Sequence, residues 1–129
     1  MNLDYLIQRR AFVWELTVDH LQLSLTAVAL ALVIAFPLGL LAASVRRLEL
    51  PLLGLLGVIY TIPSLAFLAL LIPLVGLGDQ PALIMLAAYA QLFLVRNIAT
   101  GLAGVDRAAL EAARGMGMTA WQVLMRVQL

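Results

Sequence analysis

Twenty-five consecutive residues, Leu21 to Val45, carry no charge. As an α-helix they extend for about 37 Å at about 1.5 Å per residue, more than the roughly 30 Å thickness of a bilayer's hydrocarbon. The run predicts a membrane span. Composition agrees, because 64% of the 129 residues are hydrophobic and 12% are charged, with a mean hydropathy of +1.06. A soluble domain carries about a quarter charged residues, so this chain has too little polar surface to cover a core in water and is too apolar for disorder.

A second uncharged run spans 29 residues, Leu50 to Gly78, interrupted by Pro51, Gly54, Gly57, Pro63 and Pro73. One straight helix is not expected there. Proline removes a backbone donor that protein or water must compensate, so a second span over about 50–76 is expected, kinked or locally unwound near Pro63. The third run, Pro81 to Val95, reaches only about 22 Å and crosses only if it continues through Arg96 and Asn97 toward Gly101 or Gly104. The expected span is therefore about 81–104. Arg96 then has two readings: a side chain snorkelling to the headgroups, or one facing a polar interior.

Arginine placement sets the expected orientation, since short loops rich in basic residues stay in the cytoplasm. Arg46, Arg47, Arg107, Arg114 and Arg126 fall on one side of the three spans, and Arg9 and Arg10 on the other. The tail is thereby expected in the cytoplasm and the amino terminus outside. Residues 1–20 place Leu3, Ile7, Ala11 and Trp14 at helical spacing among charges, which suits an N-terminal interfacial segment. Glu15 and Asp19 argue against a cleaved signal peptide, so span one is expected to be retained. No internal repeat or low-complexity segment stands out.

Several chemistries lack their residues. The chain has no cysteine, hence no thiolate nucleophile and no cysteine-ligated metal, and all eight basic residues are arginine, so neither a Walker A lysine nor a Schiff-base lysine exists. Eight basic against seven acidic residues leave no footprint for nucleic acid. No metal and no cofactor is expected. His20 lies at a span boundary without a second ligand beside it and reads as a solvated or interfacial histidine. Asp79 reads as a turn residue of an external loop. Tyr60 and Tyr89 either face a translocation path or pack, and no cluster of tyrosine or tryptophan suited to a quaternary-amine cage is visible along the chain.

Beyond Val105 the text changes to DRAALEAARGMGMTAWQVLMRVQL. Two short helices divided by glycines are expected. Asp106 caps the first, and Gly115 with Gly117 supplies a left-handed or closely packed stop. Thr119 opens the second with Gln122 three residues on, a capping box, and Trp121, Leu124 and Val127 form an apolar stripe. Gly115-x-Gly117 is no phosphate loop, because no strand precedes it and no lysine follows.

Glu111-Ala112-Ala113, three residues, Gly117, nine residues, Val127, one residue, Leu129 resembles the EAA signature of membrane permeases of ABC importers. Val127 stands where the family pattern has isoleucine. The strings TIPSLAFLALLIPLVGLG (61–78), VRNIATGLAGVD (95–106) and LEAARGMGMT (110–119) resemble the osmoprotectant branch, whose members import glycine betaine, choline and carnitine. The resemblance covers about residues 21–129. It implies an all-α membrane protein with three transmembrane helices and a cytoplasmic coupling helix, the N-terminal part of a MetI-like permease fold, with the EAA loop at 106–129. Glu111, Ala112, Ala113 and Gly117 are carried over as the ATPase-coupling residues, with Arg107 and Arg114 as rim contacts.

The partners implied are ABC ATPase subunits that hydrolyse the ATP, a second permease copy or paralogue, an extracytoplasmic solute-binding protein, and membrane lipid, in the cytoplasmic (inner) membrane of a bacterium. The chain itself is then a transporter subunit and not an enzyme. Family members continue into at least two further spans, so a truncated or fragmentary chain is expected. The competing reading is a small membrane scaffold, or a non-functional permease fragment. Intramembrane catalysis lacks any Ser-His or paired-carboxylate arrangement within the spans.

Overall fold

The computed structural model describes residues 9–128. Leu3, Ile7 and Leu129, which figure in the expectations above, lie outside them. Helix α1 runs from Arg10 to Ser44, a single 35-residue element with Pro37 inside it. No glycine or proline falls between Arg10 and Leu21, so helix propagation has nothing to stop it. From Arg10 onward the N-terminal segment is therefore not a separate interfacial helix but the first turns of α1. The full helix is about 52 Å long and exceeds even the roughly 40–45 Å of a bilayer with its headgroups.

Helix α2 (Arg46–Tyr60) follows after the single non-helical residue Val45. It ends at Thr61, and α3 (Ser64–Val75) leaves at 89° to it. The break falls at the proline named from the sequence, and it is an elbow rather than a mild kink. Helix α4 (Asp79–Ala103) passes through Arg96 and Asn97 to its cap at Gly104, as expected for the third span. Asp79 differs from its expected place in a loop: it is the first residue of α4, where its carboxylate meets the positive end of the helix dipole. Helices α1 and α4 are each long and apolar enough to cross a membrane, and α2 with α3 makes a third span if the bent pair is one crossing.

The fold is held chiefly by α1 against α4. The residues α1 buries are Ala27, Ala31, Ala35, Gly39 and Ala42, small side chains recurring every three or four positions. Such a stripe brings two backbones close in lipid, where dispersion contact and not water expulsion drives association. Opposite it α4 buries Ala87, Gln91, Val95, Ala99 and Leu102 with the same period. Gln91 reaches Ala31, and Ile98 lies against Gly39, so the two helices run parallel. Leu56 of α2 joins Ala35, Ala42, Val95 and Ala99 in the core, with Leu52 and Leu53 beside it.

Parallel packing fixes the two ends of the bundle. The Arg46-Arg47 turn lies at the end where α4 hands the chain to the tail, and Asp79 lies at the other, with Asp19 and His20 of α1.

Candidate functional site

The tail begins at Asp106, whose Oδ1 accepts from the Ala108 amide at 3.0 Å and so caps α5 (Arg107–Gly115). Beyond the helix, the Met118 amide donates to the Ala113 carbonyl at 3.1 Å and the Gly117 amide to that of Arg114 at 3.0 Å. Those two bonds are a Schellman closure with Gly117 as its left-handed residue, at φ +76°. The left-handed turn is observed at this glycine, and a β-carbon there would meet nothing of this chain within 4 Å, so within the chain it is conformation that calls for glycine. Gly115 stays in the helix with a negative φ and open space around it.

Thr119 and Gln122 form the expected box, the Thr119 amide donating to Gln122 Oε1 at 2.9 Å and the Gln122 amide to Thr119 Oγ1 at 3.3 Å. Helix α6 (Ala120–Val123) then widens into a π-helical turn over Leu124–Gln128. Helix α5 packs on these two elements, burying Ala113 and Val123.

That packing divides the four carried-over residues. Ala113 is 1% exposed and serves the tail's own interior, while Glu111 and Ala112 lie on the open side of α5 and Gly117 sits in the exposed turn. Among the described residues the Glu111 carboxylate has no ion-pair partner, Arg114 included, which leaves it available to another chain. Arg107 and Arg114 are exposed as well. A cleft of about 480 Å³ separates the tail from the spans, with Leu40, Ser44 and Leu102 on one side and Arg114, Trp121 and Leu124 on the other. The tail is thus a small folded unit attached to α4 through Gly104 and Val105, with room between it and the spans.

A second feature joins the two tyrosines singled out in the sequence. At the elbow Pro63 brings no amide to the Ile59 carbonyl, which accepts instead from Ile62 at 3.2 Å. The Ile62 carbonyl, outside both helices, accepts from the Tyr89 hydroxyl of α4. Tyr60 stands edge-on to Tyr89 (centroids 5.5 Å apart, planes at 65°) and to Phe93 (5.2 Å, 84°), and Phe67 lies 5.7 Å from Tyr89. Four aromatic rings from three helices therefore meet at the break. The sequence named Tyr60 and Tyr89 separately, but their meeting with Phe67 and Phe93 across three helices is not encoded in local spacing.

The third feature is a polar cavity of about 440 Å³ at the opposite end, lined by Asp19, His20, Gln22, Thr26 and Asp79. Among the described residues no group of three or more acidic or histidine side chains converges as a metal site. His20 is exposed, in keeping with a solvated histidine, and Arg96 is exposed too.

Comparison with known proteins agrees with this geometry. The chain is 42% identical over 113 residues to the carnitine transport permease protein OpuCB of Listeria monocytogenes, an alignment covering 88% of this chain and 52% of that protein. It is 39% identical over the same length to the glycine betaine/carnitine/choline transport system permease protein OpuCB of Bacillus subtilis, with the same coverage. It is 38% identical over 133 residues to the osmoprotectant import permease protein OsmW of Salmonella typhimurium, covering 99% of this chain and 62% of that one. The chain thus spans about half the length of the relatives it matches. In three dimensions all of it superimposes on 64% of a chain of the MetNI methionine ABC transporter in an inward facing conformation, with a TM-score of 0.75 and 25% identity. Residues 35–129 match a family model that takes in the C-terminal end of α1, the elbow, α4 and the tail, and the chain belongs to the family of binding-protein-dependent transport system inner membrane components.

Proposed function

We propose that this chain belongs to a permease subunit of an ATP-driven importer for quaternary-amine osmoprotectants such as glycine betaine, choline or carnitine. It works in a bacterial inner membrane with a second permease subunit, ABC ATPase subunits that hydrolyse the ATP, and an extracytoplasmic solute-binding protein. The amino terminus faces outward and the 106–129 loop faces the cytoplasm. No covalent step falls to this chain, so it acts as a transporter component and not as an enzyme. The cargo reading leans on the names of its relatives, which include carnitine, glycine betaine and choline.

The observation that carries the reading is the state of α5. A nine-residue helix, capped at one end by Asp106 and closed at the other by Gly117, holds Glu111 and Ala112 outward on a unit set off from the spans by a cleft. Such a unit suits docking in a groove of an ATPase. Ala112 allows close approach and Glu111 supplies a charged hydrogen bond. Movement of the docked helix then pulls on α4 through the short Gly104-Val105 link, and rigid spans convert that pull into a change of access.

The test is copurification of the full-length permease with its ATPase. Ala112→Trp is expected to abolish recovery of the ATPase while leaving the permease in the membrane. Ala108→Ser, on the same helix outside the signature, is expected to preserve it. Undiminished ATPase recovery with Ala112→Trp would overturn the docking role. Uptake of labelled choline, carnitine and glycine betaine by cells carrying the intact transporter tests the cargo separately, and uptake of none of them would remove the substrate assignment.

A further inference from the structure

We propose that the ring corner at the α2–α3 elbow, formed by Tyr60 with Tyr89 and Phe93, is a transient binding step for the trimethylammonium group of the cargo. This rests on the quaternary-amine reading above. Cations bind the faces of aromatic rings, and rings set at right angles present two such faces to one point. Tyr60 meets Phe93 at 84° and Tyr89 at 65°, with centroids 5.2 and 5.5 Å away, so the corner has the angle of two adjoining walls of a cage. Tyr60 is 45% exposed and Phe93 51% exposed, so neither ring is covered by the chain's own packing. Arg96, one turn beyond Phe93, makes no cation-π contact with these rings among the described residues.

Position favours the same occupant. Tyr89 and Phe93 flank the middle of α4, which runs from Asp79 to Ala103, so the corner lies near half depth of the crossing. Non-helical backbone at that depth is tolerated only where protein covers it or where it borders a water-filled route. Tyr89 covers one freed carbonyl, that of Ile62. In secondary transporters, interrupted helices at mid-depth are where the cargo is held, and the elbow gives this chain the same kind of break. The corner adjoins the C-terminal end of α2 at Tyr60, the negative end of that helix's dipole, which favours a cation. Two walls rather than a closed box hold a cation weakly, as a route requires, since a tightly held solute does not leave.

The test uses the full-length permease assembled with its ATPase in lipid nanodiscs, without the solute-binding protein, and radiolabelled choline as the probe. Phenylalanine 93 is replaced in turn by mono-, di- and trifluorophenylalanine, which empty the ring face of negative potential with little change of shape. Choline binding is expected to weaken stepwise with each fluorine, the whole series spanning roughly 2- to 30-fold. The neutral isostere 3,3-dimethylbutanol is expected not to compete.

Thermal unfolding of each variant checks that the fold is kept. Binding that is flat across the series, absent in the wild type, or displaced equally by the neutral isostere would overturn the site and leave the rings as packing. Uptake by the complete transporter separates the two readings. Quaternary-amine uptake together with a flat fluorine series sinks the ring corner alone, whereas no uptake of any quaternary amine sinks the cargo assignment with it.

Discussion

A β-carbon at position 39 has no room: it would lie 2.5 Å from Ile98 Cγ2 and 2.7 Å from Ile98 Cβ, the latter fixed to the backbone of α4. Gly39→Ala is therefore expected to lower stability by about 1–3 kcal/mol, the usual cost of overpacking, read as a drop in the thermal midpoint of the purified protein. Ile98→Ala makes the space. The double variant is expected to lose less than the sum of the two single ones, and strict additivity would mean that the helices do not meet as described. Position 117 is different in kind. There Gly117→Ala costs about 1–2 kcal/mol through its left-handed backbone, while Gly115→Ala, helical and unhindered, is expected to be neutral or mildly stabilising. Hydrogen exchange at the Met118 amide, which closes the Schellman turn, reports the difference.

Gln91 is 5% exposed, and its Nε2 donates to the carbonyls of Ala31 at 3.1 Å and Ala87 at 3.0 Å, while Oε1 has no partner among the described residues. The bond across to α1 is worth about 0.6 kcal/mol in a membrane, against about 1–3 kcal/mol for an unpaired buried acceptor. Gln91→Leu is thus expected to hold or raise the thermal midpoint. A marked fall would mean that Oε1 has a donor, a buried water or another chain. Glycine and glutamine also show where the text was opaque. The stripe Ala27, Ala31, Ala35, Gly39 is visible as a period of four, but which helix it would meet depends on a pairing some sixty residues away in sequence, and no local pattern encodes that.

At the scale of elements, breaks were legible and their angles were not. Proline at 63 determines that the ladder fails there, because the missing amide is a property of one residue. At the 89° turn Tyr89 reaches the Ile62 carbonyl from another helix, a contact no local pattern encodes. Tyr89→Phe keeps the ring and deletes that donor, and it is expected to cost about 1–3 kcal/mol as an orphaned carbonyl at membrane depth. Loss of protection of the elbow amides Thr61 and Ile62 in hydrogen exchange would accompany it, whereas unchanged protection would show that water satisfies the carbonyl equally well. The tail is the opposite case. Its caps at Asp106, Gly117 and Thr119 are interactions among residues at most five apart, so spacing alone located both helices and the turn between them. Packing then decided what spacing could not, that Ala113 turns inward while Ala112 stays out.

For the molecule as a whole, the parallel pairing of α1 with α4 groups the tail with the Arg46-Arg47 turn, as the three-span reading of the sequence does independently. Because Ala31 meets Gln91 and Gly39 meets Ile98, residues 47 and 112 belong to one end of the bundle and residue 79 to the other, whichever end faces the cell interior. Five arginines against two favour the first end as the cytoplasmic one, which is the orientation proposed above. This stretch contains no cysteine, so thiols introduced as Arg47→Cys, Asp79→Cys and Ala112→Cys, all exposed positions, report cleanly in a full-length permease whose remaining thiols are removed. In intact cells a membrane-impermeant maleimide is expected to label position 79 at once, and positions 47 and 112 only after permeabilisation. Labelling of 47 and 112 from opposite sides would contradict the parallel packing itself. Labelling of 112 from outside, with 79 protected, would leave the packing intact and invert the molecule, and the helix bearing Glu111 and Ala112 would then be out of reach of any ATPase.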